Sequence, residues 1–230
     1  MQIRINEIFK SISGEAGHPA FPQGTFCTFV RFQGCNFASN PCLWCDTQHS
    51  QNKEAGELLS VGKIISTIGI DNYIVITGGE PLFQQFGLSV LVRTLLGAGK
   101  KVQIETNGSF ILVDFGVNCT WVLDYKLPSS SVQQNMISNF GFLEALKKQN
   151  AVIKFVFDTV EDITVMFEKI NLFKIMMENI HLNLGYAPFI VSPTENGKRF
   201  SKKVVETIFD QNLQDYCLFS LQSHKILDLK

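Results

Sequence analysis

The sequence lacks an excess of charge of either sign. Lys and Arg together number 20 and Asp and Glu 21, so the formal net charge is −1. Nucleic-acid-binding proteins usually carry a basic surplus, and we therefore expect no nucleic-acid partner. Hydrophobic residues make up 45% of the chain and charged residues 18%, which is typical of a folded protein and excludes a disordered one. No linker-like or repetitive stretch interrupts the 230 residues, and we predict a single domain over 1–230.

Long apolar runs are also missing. No uninterrupted stretch approaches the length of a membrane span, and the first residues carry Arg4, Glu7 and Lys10 instead of the apolar core of a targeting peptide. We therefore expect a cytoplasmic protein with no membrane partner. Thiols stay reduced in that compartment, so the six cysteines are not expected to form a disulfide framework.

Apolar periodicity predicts strands that alternate with helices. Strands are predicted over 25–33, 73–77, 101–106, 121–126, 151–157, 180–184, 189–192 and 216–222. Helices are predicted over 58–69, with Ser60 as the N-cap, and over 88–100, 140–150, 161–176 and 200–212. Residues 38–56 and 107–120 are predicted to be irregular loops. This alternation indicates an α/β protein with a parallel sheet, either open or closed into a barrel.

Polar or glycine-rich clusters follow six of the predicted strands. They are the cysteine-containing loop, Gly78–Pro81, Glu105–Gly108, Asp124–Lys126, Ser192–Glu195 and Gln222–Lys225. The carboxyl ends of parallel strands share one edge of a sheet, where α/β proteins bind their ligands. We therefore predict that these clusters face one cavity.

Three cysteines lie close together in the stretch GCNFASNPCLWCDT. Cys35, Cys42 and Cys45 have the spacing C-x6-C-x2-C, which suits three ligands of a metal site. A structural zinc ion would require a fourth ligand, which Cys27 or His49 could supply. An iron–sulfur cluster held by three cysteines would leave one iron open to another molecule. From these residues alone, zinc and an iron–sulfur cluster remain equally acceptable.

The motifs resemble, in order and over nearly the whole chain, the radical S-adenosylmethionine superfamily and in particular its 7-carboxy-7-deazaguanine synthase family. The segments that carry the resemblance are INEIFKSISGE (5–15), FVRFQGCN (29–36), CLWCDT (42–47), VITGGEPL (75–82), IETNGS (104–109), LDYKLPSSS (123–131) and LQSHKILDL (221–229). The usual cysteine spacing of the superfamily is C-x3-C-x2-C, and some synthases widen the first gap as this chain does. The fold that the resemblance implies is a partial, TIM-like βα barrel.

The resemblance also implies the cofactors. Cys35, Cys42 and Cys45 would ligate a [4Fe–4S] cluster whose open iron binds S-adenosylmethionine. The residues that match the family's contacts to S-adenosylmethionine are Trp44, Gly78, Gly79, Asp124, Tyr125, Lys126, Ser192, Pro193, Thr194 and Glu195. Thr47 would bind Mg²⁺ through its hydroxyl oxygen, the kind of hard ligand that Mg²⁺ prefers.

The positions that match the family's substrate contacts are Ile12, Ser13, Gly14, Arg31, Thr77 and Lys230. Many members of the family carry Gln where this chain has Ser13. Arg31 would pair with the carboxylate of the substrate, because the planar guanidinium can meet a carboxylate through two hydrogen bonds.

The implied activity is that of a radical lyase of queuosine and 7-deazapurine biosynthesis. It would convert 6-carboxy-5,6,7,8-tetrahydropterin to 7-carboxy-7-deazaguanine with loss of ammonia. A 5′-deoxyadenosyl radical would remove hydrogen from the substrate, after an electron donor such as flavodoxin or ferredoxin has reduced the cluster. A homodimer is expected, since dimers are common in the family and the commonest oligomers generally.

Two other functions remain as alternatives. An activating enzyme for a glycyl-radical enzyme would have a similar length and the same three cysteines, but would need an open groove for a peptide. A zinc-stabilised binding domain would need no cavity for S-adenosylmethionine and would be colourless.

Overall fold

The computed structural model describes residues 1–14, 17–133, 136–148 and 150–229, which form a mixed α/β fold. The strands are β1 (Gln2–Ile12), β2 (Phe26–Phe32), β3 (Glu57–Ser60), β4 (Tyr73–Gly78), β5 (Lys101–Thr106), β6 (Cys119–Tyr125), β7 (Ala151–Phe157), β8 (Phe189–Pro193) and β9 (Cys217–Phe219). The α-helices are α1 (Val61–Ile68), α2 (Gln85–Gly97), α3 (Asn139–Lys148), α4 (Val160–Asn179), α5 (Ser201–Asp210) and α6 (Ser223–Ile226).

The strands form one nine-stranded sheet in the order β3-β1-β2-β4-β5-β6-β7-β8-β9. From β2 to β9 each neighbouring pair is parallel, which confirms the predicted parallel arrangement for that part of the sheet. β1 pairs antiparallel with both β2 and β3, and neither β1 nor β3 is predicted from the sequence. Only one side of the first part of β1 is buried, through Ile3 and Ile5, so it lacks the continuous apolar run of the other strands.

Short polar side chains cap the N-termini of two helices. The Ser60 hydroxyl accepts a hydrogen bond of 3.1 Å from the backbone N–H of Lys63, which confirms the predicted N-cap of α1. At the start of α4, Thr159 and Asp162 form a capping box. The Asp162 carboxylate also accepts a 2.9 Å hydrogen bond from the backbone N–H of Ser129 and so ties the loop after β6 to this helix.

The strand predicted over 180–184 is wrong. In this segment the backbone N–H of Leu182 bonds to the carbonyl of Met177 at the end of α4, and His181 has a left-handed φ of 52°. The Asn183 side chain then accepts a hydrogen bond from the backbone N–H of Gly185. These local bonds form a turn, because side chains such as Asn compete with a strand for backbone hydrogen bonds.

Apolar side chains bury both faces of the parallel strands. On one face Ile104, Trp121 and Phe155 belong to the main core, together with the apolar sides of the helices. On the other face Val122 and Val152 form a smaller cluster with Ile190 on β8. Burial on both sides explains why these strands read as near-continuous apolar runs. Among the described residues, no helix has the length and apolar character needed to cross a bilayer.

Candidate functional site

A cavity of about 550 Å³ lies at the carboxyl ends of the parallel strands. Five neighbouring strands contribute polar side chains to its wall, among them Arg31, Thr77, Glu105, Asp124 and Lys154. Arg31 is the register partner of Thr77, and Asp124 is the register partner of Lys154. Members of all six polar clusters predicted from the sequence line this cavity, which confirms that the clusters converge.

Most of the predicted site residues line the same cavity, although their roles remain predictions. They are Ser13, Gly14, Arg31, Cys35, Cys42, Trp44, Cys45, Thr47, Thr77, Gly78, Gly79, Asp124, Lys126, Pro193, Thr194 and Glu195. Ile12, Tyr125 and Ser192 are described but are not among the lining residues, and Lys230 lies outside the described residues.

Tyr125 faces the core on the opposite side of β6 from Asp124. Its ring centroid lies 4.9 Å from that of Phe142 and 5.2 Å from that of Phe155. Successive side chains of a strand point to opposite faces, so Asp124 faces the cavity while Tyr125 faces the helices. A contact from Tyr125 to a ligand in the cavity would therefore have to come from its backbone.

The first part of the cysteine loop is anchored to the segment after β5. The amide of Asn107 donates a hydrogen bond of 2.9 Å to the Asn36 side-chain oxygen, and the Asn36 amide donates one of 3.0 Å to the Ser109 hydroxyl. The backbone N–H of Cys35 bonds to the carbonyl of Gln51 at 3.1 Å. These bonds fix Cys35 beside the end of β5.

The second part of the loop is anchored to the segment after β6. The Trp44 indole N–H donates a hydrogen bond of 3.0 Å to the Ser129 hydroxyl, and the Leu43 backbone N–H bonds to the carbonyl of Ser130 at 3.3 Å. The Lys126 ammonium lies 4.8 Å from the centroid of the Trp44 ring. Cys42 and Cys45 therefore lie against a different strand end from Cys35.

Three thiols line the cavity and are candidate ligands of a metal centre. In the described part of the chain, no three His, Cys, Asp or Glu side chains are grouped closely enough to hold one metal ion. In a [4Fe–4S] cluster each cysteine thiolate binds a different iron, and Cys35, Cys42 and Cys45 all line the same cavity. Burial raises the pKa of the Cys35 thiol to about 11, so cluster binding would release its proton.

Neither candidate for a fourth protein ligand is among the residues lining the cavity. Cys27 is buried in an apolar cluster with Phe21 and Val75. The His49 imidazole lies 4.0 Å from the Glu7 carboxylate. The two side chains that could complete a four-ligand zinc site with these cysteines are therefore not part of the cavity wall.

Two glycines bring the end of β4 against the cysteine loop. Gly78 has a φ of 137°, and a Cβ atom there would come within 2.2 Å of the Phe32 carbonyl oxygen. A Cβ atom at Gly79 would come within 2.3 Å of the Gly34 carbonyl oxygen. Only glycine permits this close backbone approach, so the glycine pair has a structural reason as well as the predicted role in cofactor binding.

Glu80 was not predicted as a site residue, yet it holds the segment after β5. Its carboxylate accepts hydrogen bonds from the backbone N–H of Leu82 at 2.9 Å, from the Thr106 hydroxyl at 2.9 Å and from the backbone N–H of Asn107 at 2.7 Å. Burial raises the pKa of Glu80 to about 7, although these hydrogen bonds act against the shift. Glu80 thus connects the end of β4 with the amide that anchors Cys35.

Arg31 is pre-oriented on the cavity wall. Its Nε donates a hydrogen bond of 2.9 Å to the Glu7 carboxylate, and its guanidinium carbon lies 5.5 Å from the centroid of the Phe9 ring. Phe9 in turn stacks on Phe29 at 5.0 Å. On the next strand the Thr77 hydroxyl donates a hydrogen bond of 2.9 Å to the carboxylate of Glu105. This wall combines a cation suited to an anionic ligand with fixed polar groups.

An incompletely bonded carboxylate oxygen supports the prediction of a ligand at Asp124. One oxygen of Asp124 accepts a hydrogen bond of 2.5 Å from Lys126, whereas the other is buried and has no hydrogen-bond partner among the described residues. Burial would lower the pKa of Lys126, but the charge and hydrogen bond of Asp124, together with Cys42, outweigh it and raise that pKa. Because an unpaired buried oxygen is costly, the site suits a ligand that donates a hydrogen bond, such as a hydroxyl group.

Two features of the cavity were missed in the sequence. Lys154 lines the cavity and is the one charged residue in the otherwise apolar strand β7. This break in the apolar pattern was the only feature of the sequence that could have indicated a site residue there. Asp46 forms an ion pair of 2.7 Å with Lys225. No local pattern connects two residues that lie so far apart in the sequence.

Comparison with known proteins shows similarity along the whole chain. No protein-family model matches it. The chain is 34% identical to the 7-carboxy-7-deazaguanine synthase of Clostridium acetobutylicum over 235 aligned positions, covering 99% of this chain and 96% of that protein. It is 29% identical to the 7-carboxy-7-deazaguanine synthase of Rickettsia prowazekii over 240 aligned positions, covering 100% of this chain and 89% of that protein. The crystal structure of Streptococcus suis SuiB aligns with a TM-score of 0.43 and 17% identity, over 65% of this chain and 39% of that chain, which is too distant to support an argument.

Proposed function

The chain belongs to the 7-carboxy-7-deazaguanine synthase family, and from that membership we propose that it is a radical S-adenosylmethionine lyase. It converts 6-carboxy-5,6,7,8-tetrahydropterin to 7-carboxy-7-deazaguanine and releases ammonia, in the synthesis of queuosine and related 7-deazapurines. The observation that carries the proposal is the similarity to the Clostridium acetobutylicum synthase over 99% of this chain. The arrangement of Cys35, Cys42, Cys45 and Arg31 around one cavity supports it.

The proposed cofactor site occupies the side of the cavity next to the cysteine loop. Cys35, Cys42 and Cys45 hold the [4Fe–4S] cluster, and when bound, the cluster and S-adenosylmethionine supply one-electron chemistry that the protein's side chains cannot perform. The buried Asp124 oxygen that has no partner among the described residues would accept a hydrogen bond from S-adenosylmethionine. The other proposed contacts are made by Trp44, Gly78, Gly79, Tyr125, Lys126, Ser192, Pro193, Thr194 and Glu195.

The proposed substrate site occupies the side of the cavity formed by β2 and β4. Arg31 binds the pterin carboxylate through its Nη nitrogens, because Glu7 already takes the hydrogen of Nε. Thr77 and the segment Ile12, Ser13 and Gly14 complete the wall, and Lys230 is proposed to close it. Close placement is needed, since a misplacement of about 1 Å lowers the rate of such reactions strongly.

Mg²⁺ is proposed to bind at Thr47, which lines the cavity next to a cluster ligand. The Thr47 hydroxyl lies 3.7 Å from the sulfur atom of Cys45. A magnesium ion at this hydroxyl keeps most of its coordination positions for water and substrate oxygens. The substitution Thr47→Val is expected to raise the Mg²⁺ concentration for half-maximal activity by about tenfold. Thr207→Val, on the exposed side of α5, serves as the matched control.

The remaining proposals concern the whole molecule. The sheet is proposed to be a partial βα barrel, because inward side chains from several strands line one cavity. The chain is proposed to form a single domain, because all nine strands belong to one continuous sheet. We also propose that the protein is a cytoplasmic homodimer that receives electrons from a flavodoxin or ferredoxin. It acts on a small molecule and not on nucleic acid or membrane.

The proposed activity is tested with anaerobically reconstituted protein. The protein is incubated with dithionite, S-adenosylmethionine, Mg²⁺ and 6-carboxy-5,6,7,8-tetrahydropterin, and the products are identified by mass spectrometry. The expected product is lighter than the substrate by the mass of one ammonia molecule. A brown protein that cleaves S-adenosylmethionine but leaves the pterin unchanged would contradict the proposal and favour an activating enzyme, whereas a colourless protein with one bound zinc would favour the binding domain.

A further inference from the structure

The carbonyl oxygen of Gly14 connects the turn after β1 to the C-terminal segment, defined here as residues 220–229. It accepts hydrogen bonds from the backbone N–H and the hydroxyl of Ser223, both at 2.8 Å. A Cβ atom at Gly14 would come within 1.9 Å of the His224 ring, so the absence of a side chain allows the two segments to meet. The C-terminal segment therefore docks on a residue that belongs to the proposed substrate site.

The same segment also contacts the cysteine loop. The Lys225 ammonium donates a hydrogen bond of 2.7 Å to the Asp46 carboxylate. Burial would raise the pKa of Asp46, but the hydrogen bond and charge of Lys225 outweigh it and the pKa is lowered. Gln222, His224 and Lys225 all line the cavity. The C-terminal segment thus forms part of the cavity wall and is held by Gly14 on one side and by Asp46 on the other.

Gln23 joins the two segments from outside the cavity. Its side-chain nitrogen lies 3.1 Å from the carbonyl oxygen of Gly14, 3.1 Å from that of Leu221 and 3.3 Å from the Ser223 hydroxyl. An amide nitrogen carries two hydrogens and can therefore donate to both carbonyls at once. Gln23 is exposed and is not among the described residues that line the cavity, so any effect on a ligand must act through the residues it holds.

We propose that Gln23 is a positioning residue for the pterin substrate: it holds the C-terminal segment closed against Gly14 and thereby completes the substrate side of the cavity. This inference rests on the proposed function. Loss of two hydrogen bonds is expected to shift the ratio of closed to open segment by roughly tenfold. Substrate binding then has to restore the closed arrangement, which weakens apparent affinity without altering the groups at the reacting atoms.

The first test needs no cofactor or turnover. Trypsin is expected to cleave after Lys225 faster when the segment has left Asp46, because the ion pair holds the Lys225 ammonium group in place. The release of residues 226–230 is followed by mass spectrometry. Gln23→Ala is expected to accelerate this cleavage by about threefold. Gln23→Glu is expected to accelerate it further, because a carboxylate would face two carbonyl oxygens. Gln214→Ala, at an exposed glutamine before β9, should cleave at the wild-type rate.

The second test separates positioning from a general structural effect. The tenfold shift is shared between a rise of the open fraction and a fall of the closed fraction, so the KM of Gln23→Ala for the pterin is expected to rise by about threefold. Its kcat, cluster absorbance and dissociation constant for S-adenosylmethionine are expected to stay within about twofold of wild type. Equal cleavage rates in wild type and both Gln23 variants would overturn the proposal, and so would faster cleavage with an unchanged KM. A wild-type protein that makes no 7-carboxy-7-deazaguanine overturns the proposed function, while the cleavage assay still decides whether Gln23 holds the segment.

Discussion

Arg31 and Thr77 are direct register partners in the pairing of β2 with β4, and both side chains face the cavity. Glu7 and Phe9 on β1 support the guanidinium of Arg31 from the other side. The position of Arg31 is therefore fixed by three neighbouring strands, as a group that recognises a small anionic substrate requires.

We expect Arg31→Lys to lower kcat/KM for the pterin by about 100-fold, mainly through KM, because an ammonium group cannot form the paired hydrogen bonds of a guanidinium. Steady-state kinetics measures the effect. Arg93→Lys is the matched control, since Arg93 also lies 5.5 Å from a phenyl ring, that of Phe115, and is not among the residues lining the cavity. Equal losses in the two variants would argue against a substrate contact by Arg31.

Substitution of any one of Cys35, Cys42 and Cys45 by Ala is expected to remove most of the bound iron, since a cluster with an open iron has no spare protein ligand. Iron and acid-labile sulfide are measured after anaerobic reconstitution. Cys217→Ala should keep its iron, because Cys217 is a buried core residue. A variant of the triad that retained a full cluster would show that another side chain serves as the ligand.

Asp124→Asn is expected to raise the dissociation constant of S-adenosylmethionine by about tenfold. The substitution removes the charge that holds Lys126 and replaces one acceptor oxygen by a donor. Calorimetry on the reconstituted protein measures the affinity, with Asp210→Asn at the exposed end of α5 as the control. Unchanged affinity would assign the unpaired oxygen to some other ligand.

His18 makes stability depend on pH. Burial lowers its pKa from 6.5 to about 4, and its ring packs edge-on against Tyr186. Between those pH values the unfolded chain binds the proton and the folded chain does not, so stability is expected to fall by up to about 3 kcal/mol as the pH drops from 6.5 to 4. Urea unfolding of the cofactor-free protein at several pH values measures this loss.

The matched variant is His18→Asn, whose side-chain oxygen can replace the ring nitrogen that accepts a hydrogen bond from the backbone N–H of Ala20. Its stability should be lower at pH 7 but should change less between pH 6.5 and 4. His181→Asn, at an exposed turn, should keep the wild-type dependence on pH. If His18→Asn retains the full dependence, another group is responsible.

Local patterns predicted most strands because parallel strands buried on both faces are continuous apolar runs. β1 was missed because Arg4, Glu7 and Lys10 interrupt its apolar residues. The false strand over 180–184 has an apolar pattern, but the Asn183 side chain and the left-handed His181 form a turn instead. Burial on one side only therefore explains the missed strand β1, and local hydrogen bonds explain why residues 180–184 form no strand.

The convergence of the polar clusters was predictable, whereas the direction of single side chains was missed. Alternation along β6 already indicates that Asp124 and Tyr125 face opposite sides. The contacts of Gln23 with Leu221 and of Asp46 with Lys225 could not be predicted, since they depend on how the C-terminal segment returns to the start of the sheet.

The two independent anchors of the cysteine loop have a consequence for its length. Asn36 holds the part of the loop around Cys35 to the segment after β5, and Trp44 holds the part with Cys42 and Cys45 to the segment after β6. Residues 38–40 between them are exposed and are not among the residues that line the cavity. Extra amino acids spliced in there would bulge outward into solvent while all three sulfur atoms kept their places, and so a rigid spacing rule is a poor guide to which chains are able to assemble this centre.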